Sequence, residues 1–219
     1  MRAHVTVGMA LAALTLARPA AAQASLGVLA GASYSRPVGG AEEIQSGTGG
    51  PVIGGSLRVW ATQRVSLQSE VLYVRKGFTF AMPPTGGLGS ESVQVDYLEV
   101  PVLARLHIPT GRRLLAHVYA GPTFSTRVRC DVELAGPRST TSGVCDGSGK
   151  QIASPFQQVN PLSLGLLAGG GSTVAIGERQ VGLDLRYDMG LTKISSRSGA
   201  RHSTIMLVAT FEFGMNDDQ

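Results

Sequence analysis

The side chains able to do chemistry in this chain of 219 residues are few and dispersed. Acyl transfer needs a hydroxyl or thiol nucleophile beside a base that a carboxylate orients. Of the histidines that could serve as base, His107 falls at a short turn, His117 in mid-strand and His202 beside Ser203 at the end of a long connection. Only His202 is expected at a surface that a substrate could reach. A His-Ser neighbour pair is common by chance, so the sequence predicts no enzyme. Gly169-Gly-Gly-Ser-Thr173 has the glycine density of a phosphate-binding loop but lacks its Lys. Inside a predicted strand, such small residues leave room for larger neighbours.

The two cysteines, Cys130 and Cys145, both fall in the longest predicted loop. In an exported protein such a pair most simply forms one disulfide, worth about 3 kcal/mol through constraint of the unfolded loop. Two free thiols or a metal pair are the alternatives. No other Cys or His sits nearby to complete a zinc site, and no metal or cofactor is expected. A long loop stapled in this way is more than a connector, which makes it a candidate contact surface.

The remaining chemistry is ionic. Arg58, Glu70, Glu99, Arg105, Asp184, Arg186, Asp188 and Glu212 all fall on the polar face of segments that alternate polar with apolar. Lining a narrow interior, they would pair with one another. An eight-stranded barrel is only wide enough to be filled by side chains, so paired charges plug it rather than conduct. These eight residues are therefore read as a structural lumen network.

The elements that must hold them show a period of two. Approximate strands are Leu26 to Ser35, Val52 to Ala61, Arg64 to Phe78, Val93 to His107, Leu114 to Val128, Pro161 to Ile176, Gln180 to Leu191 and Ser203 to Phe213. No segment of comparable length has a helical period. The connections alternate between long loops and the short links Thr62-Gln63, Ile108 to Arg113 and Gly177 to Arg179. Hairpins standing up and down in one layer, with turns at one end and loops at the other, give an all-β fold. That fold is an eight-stranded antiparallel up-and-down transmembrane β-barrel, closed because hydrocarbon tolerates no open edge.

Alternation alone does not say which face is inside. A soluble ligand-binding barrel buries its apolar face, whereas a membrane barrel turns it outward. Composition decides for the membrane. Charged residues make up only 16% of the chain against an average near 25%, and 29 glycines help fill the difference. A wetted exterior would need far more charge. The formal charge of +4 is scattered, with no basic stripe and 5% aromatics, which excludes nucleic acid as a partner.

The N-terminus follows a secretory plan. Arg2 supplies a positive start, Val5 to Ala17 an apolar stretch too short to span a bilayer, and Pro19 to Ala24 a small-residue cleavage segment. Residues 1–24 are expected to be a cleaved signal peptide and residues 25–219 the barrel domain. The mature chain would start near Gln23 or Ser25.

Four segments add a resemblance. Ser66-Leu-Gln-Ser-Glu-Val-Leu-Tyr-Val-Arg-Lys-Gly77, Val95-Asp-Tyr-Leu-Glu-Val-Pro-Val-Leu-Ala-Arg105, Tyr119-Ala-Gly-Pro122 and Leu183-Asp-Leu-Arg-Tyr-Asp-Met-Gly190 resemble the outer-membrane β-barrel domain family, the porin-family or PorT-like proteins. The run Tyr97 to Pro101 is the most specific part, because Pro inside a strand is unusual. The resemblance implies an outer-membrane barrel and, for some members, a role in secretion or surface maintenance. Many outer-membrane barrels end on an aromatic residue, whereas here Phe213 is followed by Gly214-Met-Asn-Asp-Asp-Gln219.

The functional expectation is an outer-membrane protein with a structural or surface-interaction role. The lipid bilayer would surround it, and an unknown surface or envelope partner would be met through the outer loops. The alternatives are a narrow transport barrel for small or apolar solutes and a soluble periplasmic ligand-binding barrel.

Overall fold

A computed structural model describes residues 24–39, 44–82, 89–111, 114–135, 140–144, 160–177, 179–194 and 199–213. The expected signal peptide, except Ala24, and Cys145 lie outside the described residues.

Nine strands run through the described chain: β1 (Ala24–Val38), β2 (Ile44–Trp60), β3 (Val65–Met82), β4 (Gly89–Pro109), β5 (Leu114–Ala135), β6 (Thr140–Val144), β7 (Leu162–Ile176), β8 (Arg179–Gly190) and β9 (Arg201–Phe213). No described residue is helical. Eight of the strands close a ring. Each antiparallel neighbour pairs with the next, β4 pairs with β5, β5 with β7, and β1 pairs with both β2 and β9. The ninth, β6, pairs with the outer end of β5, Asp131 facing Val144 and Ala135 facing Thr140.

Strands β1 to β5 are all longer than their periodicity suggests. The ends of β3, β4 and β5 rise beyond the outer ends of β7 and β8, and β6 joins them. The alternation in sequence breaks there for a physical reason: β5 carries an extra residue near Val128, so that Tyr97 faces Arg127 while Asp96 faces Arg129. A bulge of this kind shifts the side-chain parity. Val128 and Arg129 both point outward, and Cys130 and Val132 then point inward. Cys130 is thereby a strand residue of the inner wall rather than a loop residue.

The faces follow the predicted parity. Strand β8 alternates strictly, with Val181, Leu183, Leu185, Tyr187 and Met189 outside and Gly182, Asp184, Arg186 and Asp188 inside. Leu26, Val28, Ile53, Leu57, Leu106, Val118, Leu164 and Leu207 share the outer face with them. This apolar exterior rules out the soluble barrel, which would bury these side chains in a core.

Two prolines punctuate the sheet. Pro101 on β4 cannot donate to a ladder, and the β3–β4 pairing skips from Ser69↔Val102 to Leu72↔Glu99 around it. Opposite Pro122 the β4–β5 pairing likewise skips from Pro101↔Thr123 to Ala104↔Ala120. Glycine serves the inside of the barrel. A Cβ on Gly121 would stand 1.9 Å from the Val102 carbonyl oxygen, so the wall there closes only around a hydrogen.

Candidate functional site: the buried charge network of the lumen

All eight sequence-predicted lumen charges are buried, none more than 3% exposed. The structure divides them into two groups along the barrel axis.

The larger group lies toward the short-turn end. Arg58 of β2 donates through Nη1 to Glu212 Oε2 of β9 at 2.6 Å, and through Nε and Nη2 to Gln68 Oε1 of β3 at 3.0 and 2.9 Å. Arg105 of β4 donates to the same Gln68 oxygen at 2.6 Å and lies 3.4 Å from Asp184 of β8. His117 of β5 sits 2.5 Å from that Asp184 oxygen, and its Nε2 also touches the Arg105 guanidinium. Arg186 completes the circuit, 2.6 Å from Glu70 of β3 and 3.2 Å from Asp184. Five of the eight barrel strands contribute charged groups and β5 contributes an imidazole. Above them the Tyr119 ring receives both guanidinium groups on its π-system, Arg105 at 5.1 Å and Arg186 at 5.4 Å.

The smaller group lies toward the outer end and is built on a residue the sequence reading overlooked. Lys76 of β3 reaches Glu99 of β4 at 2.7 Å and Asp188 of β8 at 2.6 Å. Ser125 of β5 donates to Glu99 at 3.3 Å. The signal for Lys76 was present: it has the same parity on β3 as Glu70 and so the same inward direction. The eight expected charges comprise three cations and five anions. Lys76 as the fourth cation explains how Glu99 and Asp188 are neutralised. Between the two groups lies an apolar layer containing Leu72, Val74, Leu103, Leu167 and Met206. A second apolar layer caps the outer group, where Ile194 and Ala200 pack against Phe78, Val93, Val95, Tyr97, Cys130 and Val132. The Ile194 N–H donates to the Ala200 carbonyl at 2.9 Å, folding this part of the β8–β9 connection into the mouth.

The histidines fall elsewhere than an accessible catalytic site requires. His202 was expected at the surface, but it is buried, with Nε2 3.2 Å from the Tyr97 hydroxyl. The cause is parity: on β9 it points the same way as Met206 and Glu212. His107 stacks on Trp60 at 4.1 Å between ring centres, and its Nε2 lies 2.9 Å from Ser66 Oγ. Both Ser66 and His107 are buried, and the imidazole that engages a carboxylate is the neighbouring His117, 6.2 Å away between ring centres and paired with Asp184. Among the described residues no group of three or more His, Cys, Asp or Glu side chains could hold a metal ion.

Gly169-Gly-Gly-Ser-Thr173 forms part of β7. A Cβ at Gly169 would stand 2.9 Å from the Tyr119 ring, and one at Gly171 2.4 Å from Asp184 Oδ1. These glycines leave the space that the network and its aromatic lid occupy. Cys130 is buried on the inner wall and is not a free thiol.

A closed ring of eight antiparallel strands, apolar outside and ionic inside, is the architecture of an outer-membrane β-barrel. A family model described as outer membrane protein beta-barrel domain matches residues 7–196, and the chain belongs to that family. It is located in the outer membrane, with the bilayer around its apolar face. Solved structures that share the fold include two outer-membrane barrels. Neisserial surface protein A is 10% identical, with 88% of this chain and 97% of that chain covered and a TM-score of 0.53. The outer membrane protein OprG from Pseudomonas aeruginosa is 10% identical, with 89% and 98% covered and a TM-score of 0.51. No curated protein sequence matches it.

Proposed function

We propose that this protein is a structural or surface-interaction barrel that presents its outer strand extensions and loops to an envelope or surface partner, and that it is not an enzyme. The observation that carries this reading is the asymmetry of the wall. Strands β3, β4 and β5 continue beyond the ends of β7 and β8 and gain β6, raising a ribbon of sheet above one side of the ring. Its outward residues include Arg129, Asp131 and Glu133, polar groups suited to contact rather than to lipid.

The lumen network is structural in this reading. Ion pairs and two apolar layers fill the interior, which favours a plug over a conducting path. A Cys130–Cys145 disulfide would hold the long β5–β7 connection to the inner wall. Its support is that Cys130 is not a free thiol and that the chain has one other cysteine. The position of β1, whose strand pairing starts at Ala24, supports cleavage that leaves a mature chain starting near Gln23, since a start at Ser25 would remove the first paired residue.

The test is photo-cross-linking on intact cells, with the reactive group placed at Glu133 or Ser142 of the ribbon. A discrete adduct that is absent when the group is placed at lipid-facing Leu207 is expected. Stepwise conductance in planar bilayers without any such adduct would overturn the reading in favour of a narrow transport barrel.

A further inference from the structure

The lipid-facing wall is not smooth. Across β4, β5 and β7 two rows of outward side chains stand side by side, Leu98, Thr126 and Leu162 in one and Val100, Phe124 and Leu164 in the next. Thr126 is the short member of its row, so it forms a floor between the two leucines. Just beyond it β5 bulges and parts from β7, whose pairing begins at Thr126↔Leu162. The result is a groove of about 460 Å³ whose other lining residues are Ser125, Ser163 and Thr192. That volume lies within the roughly 300–1,000 Å³ of small-molecule sites.

We propose that this groove holds one hydrocarbon chain of a bilayer lipid in a fixed position, in contrast to the exchanging lipid over the rest of the wall. The occupant follows from what the lining offers. Ser163 Oγ and Thr192 Oγ1 bond to each other at 2.7 Å, and Thr192 Oγ1 also accepts the Leu164 N–H at 3.2 Å. Ser125 Oγ is committed to Glu99 inside the barrel. These three hydroxyls are engaged by the protein; the Thr126 hydroxyl is the one other polar side-chain group of the lining, and with no charged side chain there a ligand meets mostly apolar surface. Leu98, Phe124, Leu162 and Leu164 are exposed on the same face as the belt that the bilayer covers, so the groove is continuous with the lipid interface. A chain lying between Leu98 and Leu162 contacts protein on three sides, where a chain on the smooth wall contacts it on one. Dispersion contacts accumulate accordingly.

The test uses the full-length mature barrel in phosphatidylethanolamine and phosphatidylglycerol vesicles containing a trace of phospholipid with a diazirine on its acyl chain. Cross-links mapped by mass spectrometry should fall on Phe124, Leu162 and Leu164 several-fold more often than on Leu185 and Leu207. Thr126→Trp should fill the floor and reduce the groove signal to that of the smooth wall, while Thr126→Val should keep it. The shift in gel mobility between heated and unheated samples checks that each variant is folded. If Thr126→Trp does not fold, Leu162→Trp at the lip of the groove replaces it with the same expected loss. Equal labelling of groove and smooth wall in the unmodified protein would overturn the proposal. So would labelling by a diazirine free fatty acid but not by the phospholipid, since the chain would then come from solution rather than from the bilayer.

Discussion

Arg58 and Glu212 form a bidentate ion pair across β1, the strand that lies between their own strands β2 and β9. They are 154 positions apart in sequence and almost fully buried. The pair therefore joins the first hairpin of the barrel to the last strand, where the ring closes. Gln68 and Arg105 share its hydrogen bonds, so the closure is tied to β3 and β4 as well.

Breaking this pair from one side leaves a buried charge with no counter-ion. Arg58→Met or Glu212→Leu alone is expected to destabilise the barrel by about 3–5 kcal/mol. The double variant should recover most of that loss, because two apolar side chains strand no charge. Urea unfolding of the four proteins in lipid vesicles gives the coupling directly, and additive single losses would refute the coupling of the pair. Arg105, at 3.9 Å from Glu212, limits how complete the recovery can be.

The second prediction concerns the tight inner wall. Gly121→Ala places a methyl 1.9 Å from the Val102 carbonyl, a contact only a displacement of β4 or β5 can relieve. Overpacking of this kind costs about 1–3 kcal/mol or more. Gly55→Ala on β2 meets its nearest atom at 3.6 Å, an ordinary contact, and should be neutral or slightly stabilising. Equal urea midpoints for the two variants would show that the wall yields easily at Gly121.

A third concerns the cysteines. The native protein should resist alkylation until it is reduced, after which two thiols react. Cys130→Ser should then lower stability by about 3 kcal/mol through the freed loop, in the chain-entropy account. Alkylation of Cys130 and Cys145 without prior reduction would remove the bridge.

The ring itself was legible in the sequence because each face of each strand carries one kind of side chain, and a period of two needs no tertiary information. The eight inward charges were legible for the same reason. Lys76 and His202 were missed although both have inward parity, since reading charge residue by residue gives no weight to a lone Lys near a strand end or to a His beside a Ser. What parity could not supply is the register between strands. The extra residue of β5 near Val128 exists only relative to β4, and it reverses the direction of every later side chain, Cys130 included. The groove beside Thr126 is hidden in the same way, because its rows run across three strands and exist only once their mutual registers are set.

The last prediction separates the two faces with neighbouring residues. Leu185 is 59% exposed on the outer wall in mid-β8, between Gly170 of β7 and Leu207 of β9. Leu185→Arg places a charge in hydrocarbon and should cost about 2–4 kcal/mol near the midplane. Leu185→Ala should cost much less than the roughly 2–5 kcal/mol of a truncation in a packed core, since a lipid chain fills the vacated space. Asp184, one residue away, responds in the opposite sense. It accepts from Arg186 at 3.2 Å, touches His117 at 2.5 Å and lies 3.4 Å from Arg105. Asp184→Leu removes the one carboxylate shared by these three groups, leaves Arg105 relying on Glu212 at 3.9 Å, and should cost about 3–5 kcal/mol. Asp184→Asn keeps the volume and loses only the charge, so a loss of similar size there assigns the effect to electrostatics rather than to packing. Urea stabilities in which Leu185→Ala is severe while Asp184→Leu is silent would contradict the assignment of outer and inner faces.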